Sequence, residues 1–123
     1  MSTDQPQPKR GEIWRVDFDP TVGSEIRKTR PAVVVSSDAA GRLPVKIVVP
    51  ITGWNTAFAN NIWHVNILPN ATNGLTKESA VDVIQLRGVD TQRFIVRIGQ
   101  VSSEELVEIT CAIAAVIEFD PEA

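Results

Sequence analysis

Two runs of β-branched residues, separated by a segment rich in turn formers, constrain the fold of this chain most. The runs are residues 32–36 and 45–51, and both are almost continuously apolar. Short runs of this kind are typical of strands that are buried on both faces. Residues 37–44 between them include Asp, Gly and Pro, which favour a short connection. We therefore predict that the two runs form a central antiparallel hairpin.

The turn of this hairpin predicts which residues face each other. If the turn is centred on Gly41, the residue numbers of antiparallel partners sum to 82. Arg30, just before the first run, then lies opposite Thr52, just after the second. Directly opposed Cβ atoms lie roughly 4.5–5.5 Å apart, whereas a slip of one residue would turn the two side chains to opposite faces. This register predicts that Arg30 and Thr52 are neighbours.

A group of cations leads into the first run. Three of four successive residues are basic and a proline follows them: Arg27, Lys28, Arg30 and Pro31. Proline disfavours the helical conformation for the residue before it, so the backbone of Arg30 is expected to be extended. A guanidinium can bind two phosphoryl oxygens while a threonine hydroxyl donates to one, which makes Arg30 and Thr52 a candidate anion site. The alternative is a solvated loop whose cations pair with Glu25.

The remaining segments predict further strands and one helix. Apolar alternation or β-branched composition predicts strands at residues 13–18, 62–68, 80–86 and 94–98. Ser102 with Glu105 three residues later is a capping box, and apolar residues then recur at helical spacing. At 123 residues the chain is long enough for one domain. The residues alone therefore predict a mainly β fold of six short strands with a C-terminal helix.

The second half of the predicted helix, residues 111–117, is apolar on all sides. A helix that touches only one sheet keeps a polar stripe, so we expect a second element or a second subunit to enclose this half. The single cysteine, Cys111, lies within it and is interpreted as a small buried hydrophobe. One cysteine forms no internal disulfide, which favours a reducing, cytoplasmic setting.

The ends of the chain and its charge bound the function classes. Residues 1–8 lack the apolar core of a signal peptide and are predicted to be a disordered lead-in, and no run approaches the roughly 18 apolar residues of a membrane span. The net charge is −3. All 12 Lys and Arg lie in residues 1–100, however, while six of the 15 acids follow residue 100. Because nucleic-acid affinity follows local cation clusters, the acidic balance does not exclude a nucleic-acid partner.

Two other side chains, His64 and Trp54, are candidates for a functional role. His64 is the only histidine, and with no second His or Cys to form a cluster it predicts no metal site. Its interpretation as a structural residue is preferred over contact with a ligand. Trp54 lies in a polar segment, where a loop anchor is the commoner role and a stacking platform for single-stranded RNA is the alternative.

Several segments together resemble the opening and later motifs of the MazF/PemK family of toxin endoribonucleases. They are residues 10–14 (RGEIW), 17–20 (DFDP), 23–25 (GSE), 28–34 (KTRPAVV), 48–52 (VVPIT), 78–79 (ES), 85–87 (QLR) and the helix start after 101–102 (VS). The resemblance covers about residues 9–119, which it identifies as the toxin domain, with residues 120–123 as a tail. One departure is that Ile84 precedes Gln85 where many relatives carry Asp. Asp82 is the nearest acid to this position, and we assign it no role.

The resemblance implies a compact SH3-like β-barrel of the CcdB/MazF type and a homodimer. It also implies a toxin of a type II toxin–antitoxin module that inhibits translation and growth. Such a toxin cleaves single-stranded RNA at specific sequences, without metal or cofactor, through the 2′-hydroxyl. The products are a 2′,3′-cyclic phosphate and a 5′-hydroxyl. The expected partners are RNA and an acidic, partly disordered antitoxin, with DNA reached only through the antitoxin and no membrane.

The resemblance also implies roles for particular residues. Arg30 and Thr52 are expected to be the catalytic pair, assisted by Glu25. The expected RNA-binding residues are Arg27, Lys28, Gln85 and Trp54.

Two alternatives from other function classes stay open. One is a gyrase-binding toxin of the CcdB type, which has no nuclease activity. Such toxins act through a tail that ends in Trp-Gly-Ile, whereas this sequence ends in Phe-Asp-Pro-Glu-Ala. The other alternative is a catalytically silent module that binds RNA or a peptide.

Overall fold

The computed structural model describes residues 6–122, which form a sheet of short strands followed by one α-helix. The strands are β1 (Glu12–Asp17), β2 (Thr29–Val34), β3 (Val45–Gly53), β4 (His64–Ile67), β5 (Ser79–Asp82), β6 (Arg87–Asp90) and β7 (Phe94–Gln100), and the helix is α1 (Ser103–Val116). Most of the predicted lead-in, residues 1–5, lies outside the described residues. The predicted class, mainly β with a C-terminal helix, is confirmed.

The strands form one antiparallel sheet in the order β4-β5-β3-β2-β1-β7, and β6 pairs with β3 beside this path. Strand β3 is the centre of the sheet because it pairs with β2, β5 and β6. Among residues 6–122, no ladder joins the two ends of the path, β4 and β7. The fold is therefore barrel-like, with a sheet that its ladders do not close.

The predicted register of the central hairpin is confirmed. Ala32 pairs with Pro50, Val33 with Val49, and Val34 with Val48. Pro31 has no N–H to extend this ladder toward Arg30. Because side chains alternate along a strand, Arg30 lies on the same face as Ala32, and Thr52 on the same face as Pro50.

The alternating side chains of β2 and β3 enter two separate apolar clusters. The larger cluster lies under α1 and includes Ile13, Val33, Val49, Ile51, Val81 and Ile109. The smaller cluster lies on the other face and consists of Val16, Phe18, Ala32, Val34, Val48, Val89 and Phe94. Arg30 and Thr52 thus belong to the face that carries the smaller cluster. The exposed start of β3, where Val45 and Ile47 are 45% and 41% accessible, is less covered than predicted.

The predicted strand over residues 80–86 is too long. It ends at Asp82, because the Asp82 carboxylate accepts a hydrogen bond from the Ile84 N–H (3.2 Å) and begins a short 3₁₀ helix, Val83–Gln85. The chain then enters β6, which the predicted count of six strands missed. Of the four residues in β6 only Val89 is buried, so the strand has almost no apolar pattern.

The capping box of the helix is present. The Ser102 Oγ accepts from the Glu105 N–H (3.0 Å), and the Glu105 Oε1 accepts from the Ser102 N–H (2.8 Å). Ile109 is fully buried and Ile113 packs on the larger cluster. Since each residue turns about 100° around a helix, Cys111 lies away from this side and is exposed.

Two expectations about this helix therefore need correction. Cys111 is not buried within this chain. No second element among residues 6–122 encloses the apolar half, because Cys111 and Ala115 are exposed and Ile117 is 68% accessible. Enclosure by a second subunit stays a prediction.

Among residues 6–122, no helix combines the length and apolarity that crossing a bilayer requires.

Candidate functional site

Arg30 and Thr52 line the same cleft of about 220 Å³, which lies where β2 begins and β3 ends. The prediction that these two side chains are neighbours is met by this arrangement. β3 is held at this end by β5, since Thr52 pairs with Ala80 and Gly53 with Ser79. We call this space the Arg30–Thr52 cleft.

Arg30 is half-buried, and its guanidinium is only partly used by the protein. Its Nε donates to the Arg27 carbonyl oxygen at 3.3 Å. No ion pair or further side-chain hydrogen bond of Arg30 occurs within residues 6–122. The two terminal nitrogens are therefore available to an anion in the cleft.

Two cations that the sequence alone did not single out, Arg15 and Lys77, also line the cleft. Arg15 faces Pro31 in the β1–β2 ladder. Lys77 lies two residues before Ser79, which pairs with Gly53 beside Thr52. The sequence places Arg15 in a predicted strand. Only the strand order shows that this strand lies beside the Arg-Pro pair.

Glu25 is placed in a different cleft, of about 300 Å³, together with Phe18, Ile26, Gln85 and Arg87. Its Oε1 accepts from the Val22 N–H at 2.8 Å. The carboxylate therefore closes a turn of its own loop and does not line the Arg30–Thr52 cleft.

Gln85 fastens the loop over residues 18–28, which we call the site loop, to the 3₁₀ helix after β5. Its Oε1 accepts from the Ile26 N–H at 3.1 Å, and its Nε2 donates to the Ser24 carbonyl oxygen at 3.1 Å. Both ends of the amide are thus used by the protein.

Two arginines fasten the start of the site loop. Arg87 Nη1 donates to the Phe18 carbonyl oxygen at 3.2 Å, and its guanidinium carbon lies 5.7 Å from the centre of the Phe18 ring. Arg93 Nη1 donates to the carbonyl oxygens of Asp17 (3.1 Å) and Asp19 (2.5 Å). Three side chains from the segment after β5 therefore hold the loop that leads to Arg30.

Arg27 and Lys28 are exposed and line a third cleft, which they share with Asp19. Lys28 has a φ of +67°, in the left-handed region. A residue with a Cβ pays roughly 1–2 kcal/mol for this conformation. Strain of this size is characteristic of functional loops, and here it lies two residues before Arg30.

Trp54 follows Gly53 and is half-buried. Its backbone N–H donates to the Glu78 carbonyl oxygen at 3.1 Å, and its ring packs edge-to-face against the ring of Phe58, with the ring centres 5.9 Å apart and the planes at 90°. These contacts are those of a loop anchor, which was the commoner interpretation.

His64 is packed inside the protein. Its ring stacks on Phe58 at 3.8 Å, its Nδ1 lies 3.1 Å from Asn61 Nδ2, and its Nε2 lies 3.7 Å from Asp82 Oδ2. Burial raises the pKa of Asp82, while attraction to His64 and hydrogen bonds from the backbone lower it. In the part of the chain that the structure describes, no three or more His, Cys, Asp or Glu side chains form a group that could hold a metal ion.

Comparisons with known proteins agree with one another. The family model described as "PemK-like, MazF-like toxin of type II toxin-antitoxin system" matches residues 9–117. Endoribonuclease MazF9 of Mycobacterium tuberculosis is 39% identical over 108 residues, which cover 82% of this chain and 88% of that protein.

Solved structures show the same fold. MazF (form I) from Deinococcus radiodurans superposes with a TM-score of 0.76 at 22% identity, covering 91% of this chain and 97% of that one. An endoribonuclease in complex with its cognate antitoxin, from a mycobacterial species, gives a TM-score of 0.73 at 17% identity over 93% of this chain and 98% of the other.

Proposed function

We propose that this chain, which belongs to the PemK-like, MazF-like toxin family of type II toxin–antitoxin systems, is an endoribonuclease of single-stranded RNA. The 39% identity to a named endoribonuclease supports the activity. The observation that carries the proposal is the cleft that Arg30 and Thr52 share. A gyrase-binding toxin without nuclease activity does not require Arg30 and Thr52 in one cleft, so this alternative function is not favoured.

In this proposal the RNA supplies its own nucleophile. The 2′-oxygen attacks the adjacent phosphorus, the bond to the 5′-oxygen breaks, and a 2′,3′-cyclic phosphate and a 5′-hydroxyl remain. Thr52 donates a hydrogen bond to a non-bridging oxygen, and Arg30 stabilises the charge that builds up on the phosphorane. Because a guanidinium stays protonated in proteins, Arg30 acts through its charge rather than as a base.

A proton must leave the 2′-hydroxyl, and another, supplied by solvent water, must reach the departing 5′-oxygen. Glu25 is the proposed acceptor, because it is a carboxylate in the loop that leads to Arg30. Its hydrogen bond to the Val22 N–H must break first, so this role requires movement of the site loop.

The proposed partners follow from charge and exposure. Arg27 and Lys28 are exposed cations that would contact the RNA backbone. An acidic, partly disordered antitoxin would cover the same cations and exclude RNA, and DNA would be reached only through it. The structural relative bound to its cognate antitoxin supports such a partner. Trp54 and Gln85 stay predictions as RNA contacts.

Two further parts of the proposal concern assembly and setting. The exposed apolar side of α1 would be buried in a homodimer, because a face that includes Val107 and Ile117 is costly in water. The toxin domain would span residues 9–119 with a tail at 120–123, and the protein would act in the cytoplasm, without a cofactor.

The test is incubation of the purified protein with a long RNA in excess EDTA. We expect fragments with cyclic phosphate and 5′-hydroxyl ends. Arg30→Ala and Thr52→Val should each lower the rate by roughly 10²- to 10³-fold with unchanged circular dichroism. Arg42→Ala, an exposed cation in another cleft, is the matched control. Absence of cleavage by the unmodified protein, or near-normal cleavage by Arg30→Ala, would overturn the proposal.

A further inference from the structure

We infer that Lys77 is a phosphate-binding residue of the Arg30–Thr52 cleft and holds the RNA backbone beside the phosphate that is cleaved. The inference rests on the proposed function and deepens it. Lys77 lies in the connection before β5 and lines the cleft together with Arg30 and Thr52.

The ammonium of Lys77 lies over the backbone of Gly53, the residue after Thr52. A β-carbon at position 53 would be only 3.2 Å from Lys77 Nζ and 3.4 Å from its Cε. The missing side chain of Gly53 therefore provides the space that the ammonium occupies. This places a positive charge one residue from the hydroxyl proposed to bind the reacting phosphate.

The charge of Lys77 is not neutralised by the protein. Its ammonium forms no ion pair and no hydrogen bond within residues 6–122. The adjacent acid, Glu78, uses its carboxylate to accept from Asn66 Nδ2 at 2.9 Å. Lys77 is therefore a free cation, although an acidic residue follows it directly in the sequence.

The cleft holds more positive charge than a single phosphodiester neutralises. Its lining includes three cations, Arg15, Arg30 and Lys77, and contains no Asp or Glu. One phosphodiester carries a single negative charge, so the cleft suits two successive phosphates of one strand. Arg30 and Thr52 would take the reacting phosphate, and Lys77 its neighbour.

The first test compares Lys77→Gln with the unmodified protein in RNA cleavage and in binding of a labelled, mixed-sequence single-stranded DNA, which lacks the 2′-hydroxyl. We expect KM to rise roughly 3- to 10-fold with kcat little changed, since an exposed charged contact is lost. The slope of log affinity for the DNA against log salt should become shallower by about 0.7, the value for one phosphate contact of a single strand. Lys77→Arg should restore both quantities.

Lys9→Gln is the matched control, because Lys9 is also an exposed lysine but lies away from the cleft. It precedes β1 near Val34, at the end of β2, whereas Arg30 lies at the start of that strand. An unchanged KM and an unchanged salt slope in Lys77→Gln would overturn the inference while cleavage by the unmodified protein still supports the function. If the unmodified protein does not cleave RNA, the proposed function fails, and the salt slope for DNA still decides for or against Lys77.

A second variant tests the position of the ammonium. Gly53→Ala should shift Lys77 Nζ by a few tenths of an ångström, so KM should rise by less than in Lys77→Gln. Combined with Lys77→Gln, it should raise KM no further, because both changes act on the same contact. Fully additive effects would overturn the placement of the ammonium over Gly53.

Discussion

Gln85 offers the most direct test of how the site loop is held, because both of its hydrogen bonds reach residues about 60 positions earlier in the chain. The change we consider is Gln85→Met, which keeps the length and flexibility of the side chain but removes its donor and its acceptor. The Ile26 N–H then loses its partner, and so does the Ser24 carbonyl oxygen.

The magnitude follows from the two contacts. A hydrogen bond contributes roughly 0.5–1.5 kcal/mol to stability, with more lost when a buried partner stays unsatisfied. The bond to Ile26 is partly buried and the bond to Ser24 is exposed, so the two together should contribute about 1–2 kcal/mol. At 1.4 kcal/mol per factor of ten, the open population of the site loop should rise roughly 5- to 30-fold.

The assay is amide hydrogen exchange of the Ile26 N–H, the group that Gln85 holds. Its exchange should accelerate by the same roughly 5- to 30-fold, while the amides of Val33 and Val49 in the central hairpin stay protected. Gln92→Met is the control, since the Gln92 side chain is exposed and makes no hydrogen bond within residues 6–122. An Ile26 exchange rate within twofold of the unmodified protein would refute the reasoning that Gln85 closes the loop.

Two further outcomes are expected. Ser102→Ala removes the helix cap and should lower the free energy of unfolding in urea by about 1 kcal/mol, whereas the adjacent Ser103→Ala should not; equal losses would argue against the capping box. Burial raises the folded-state pKa of Asp82, so its contribution to stability is present below the unfolded value near 3.8 and is lost as the pH rises through the folded pKa. As the pH rises through this window, the unfolding free energy of the natural protein should therefore fall relative to that of Asp82→Asn. Urea titrations at a series of pH values measure this difference. A relative rise would contradict the conclusion that burial dominates the pKa of Asp82.

The central hairpin could be predicted because its information is local. The turn formers around Gly41 and the continuous apolar runs determine the register, and that register alone gave the proximity of Arg30 and Thr52. Strand β6 could not be predicted in this way, because a strand with one buried residue, Val89, has no periodic pattern to detect. It forms because it pairs with the residues from Val45 to Val48 of β3.

The rest of the site depends on contacts between distant segments. Gln85 reaches the site loop, and Lys77 reaches the Arg30–Thr52 cleft, only when β5 lies beside β3, a pairing that neither local sequence specifies. Exposure of Cys111 likewise depends on which side of α1 meets the sheet. In a helix half that is apolar all round, composition does not select that side, and the packing of Ile109 and Ile113 does.

The two apolar clusters on opposite faces of β2 and β3 have a consequence for divergence within the family. Neighbouring residues of one strand have different surroundings: Val33 and Val49 pack in the larger cluster under the helix, whereas Ala32 and Val48 pack in the smaller cluster on the other face. Changes that do not share contacts tend to add independently. Lineages can therefore exchange residues of the larger cluster under the helix while the smaller cluster is kept, or exchange residues of the smaller cluster while the helix side is kept.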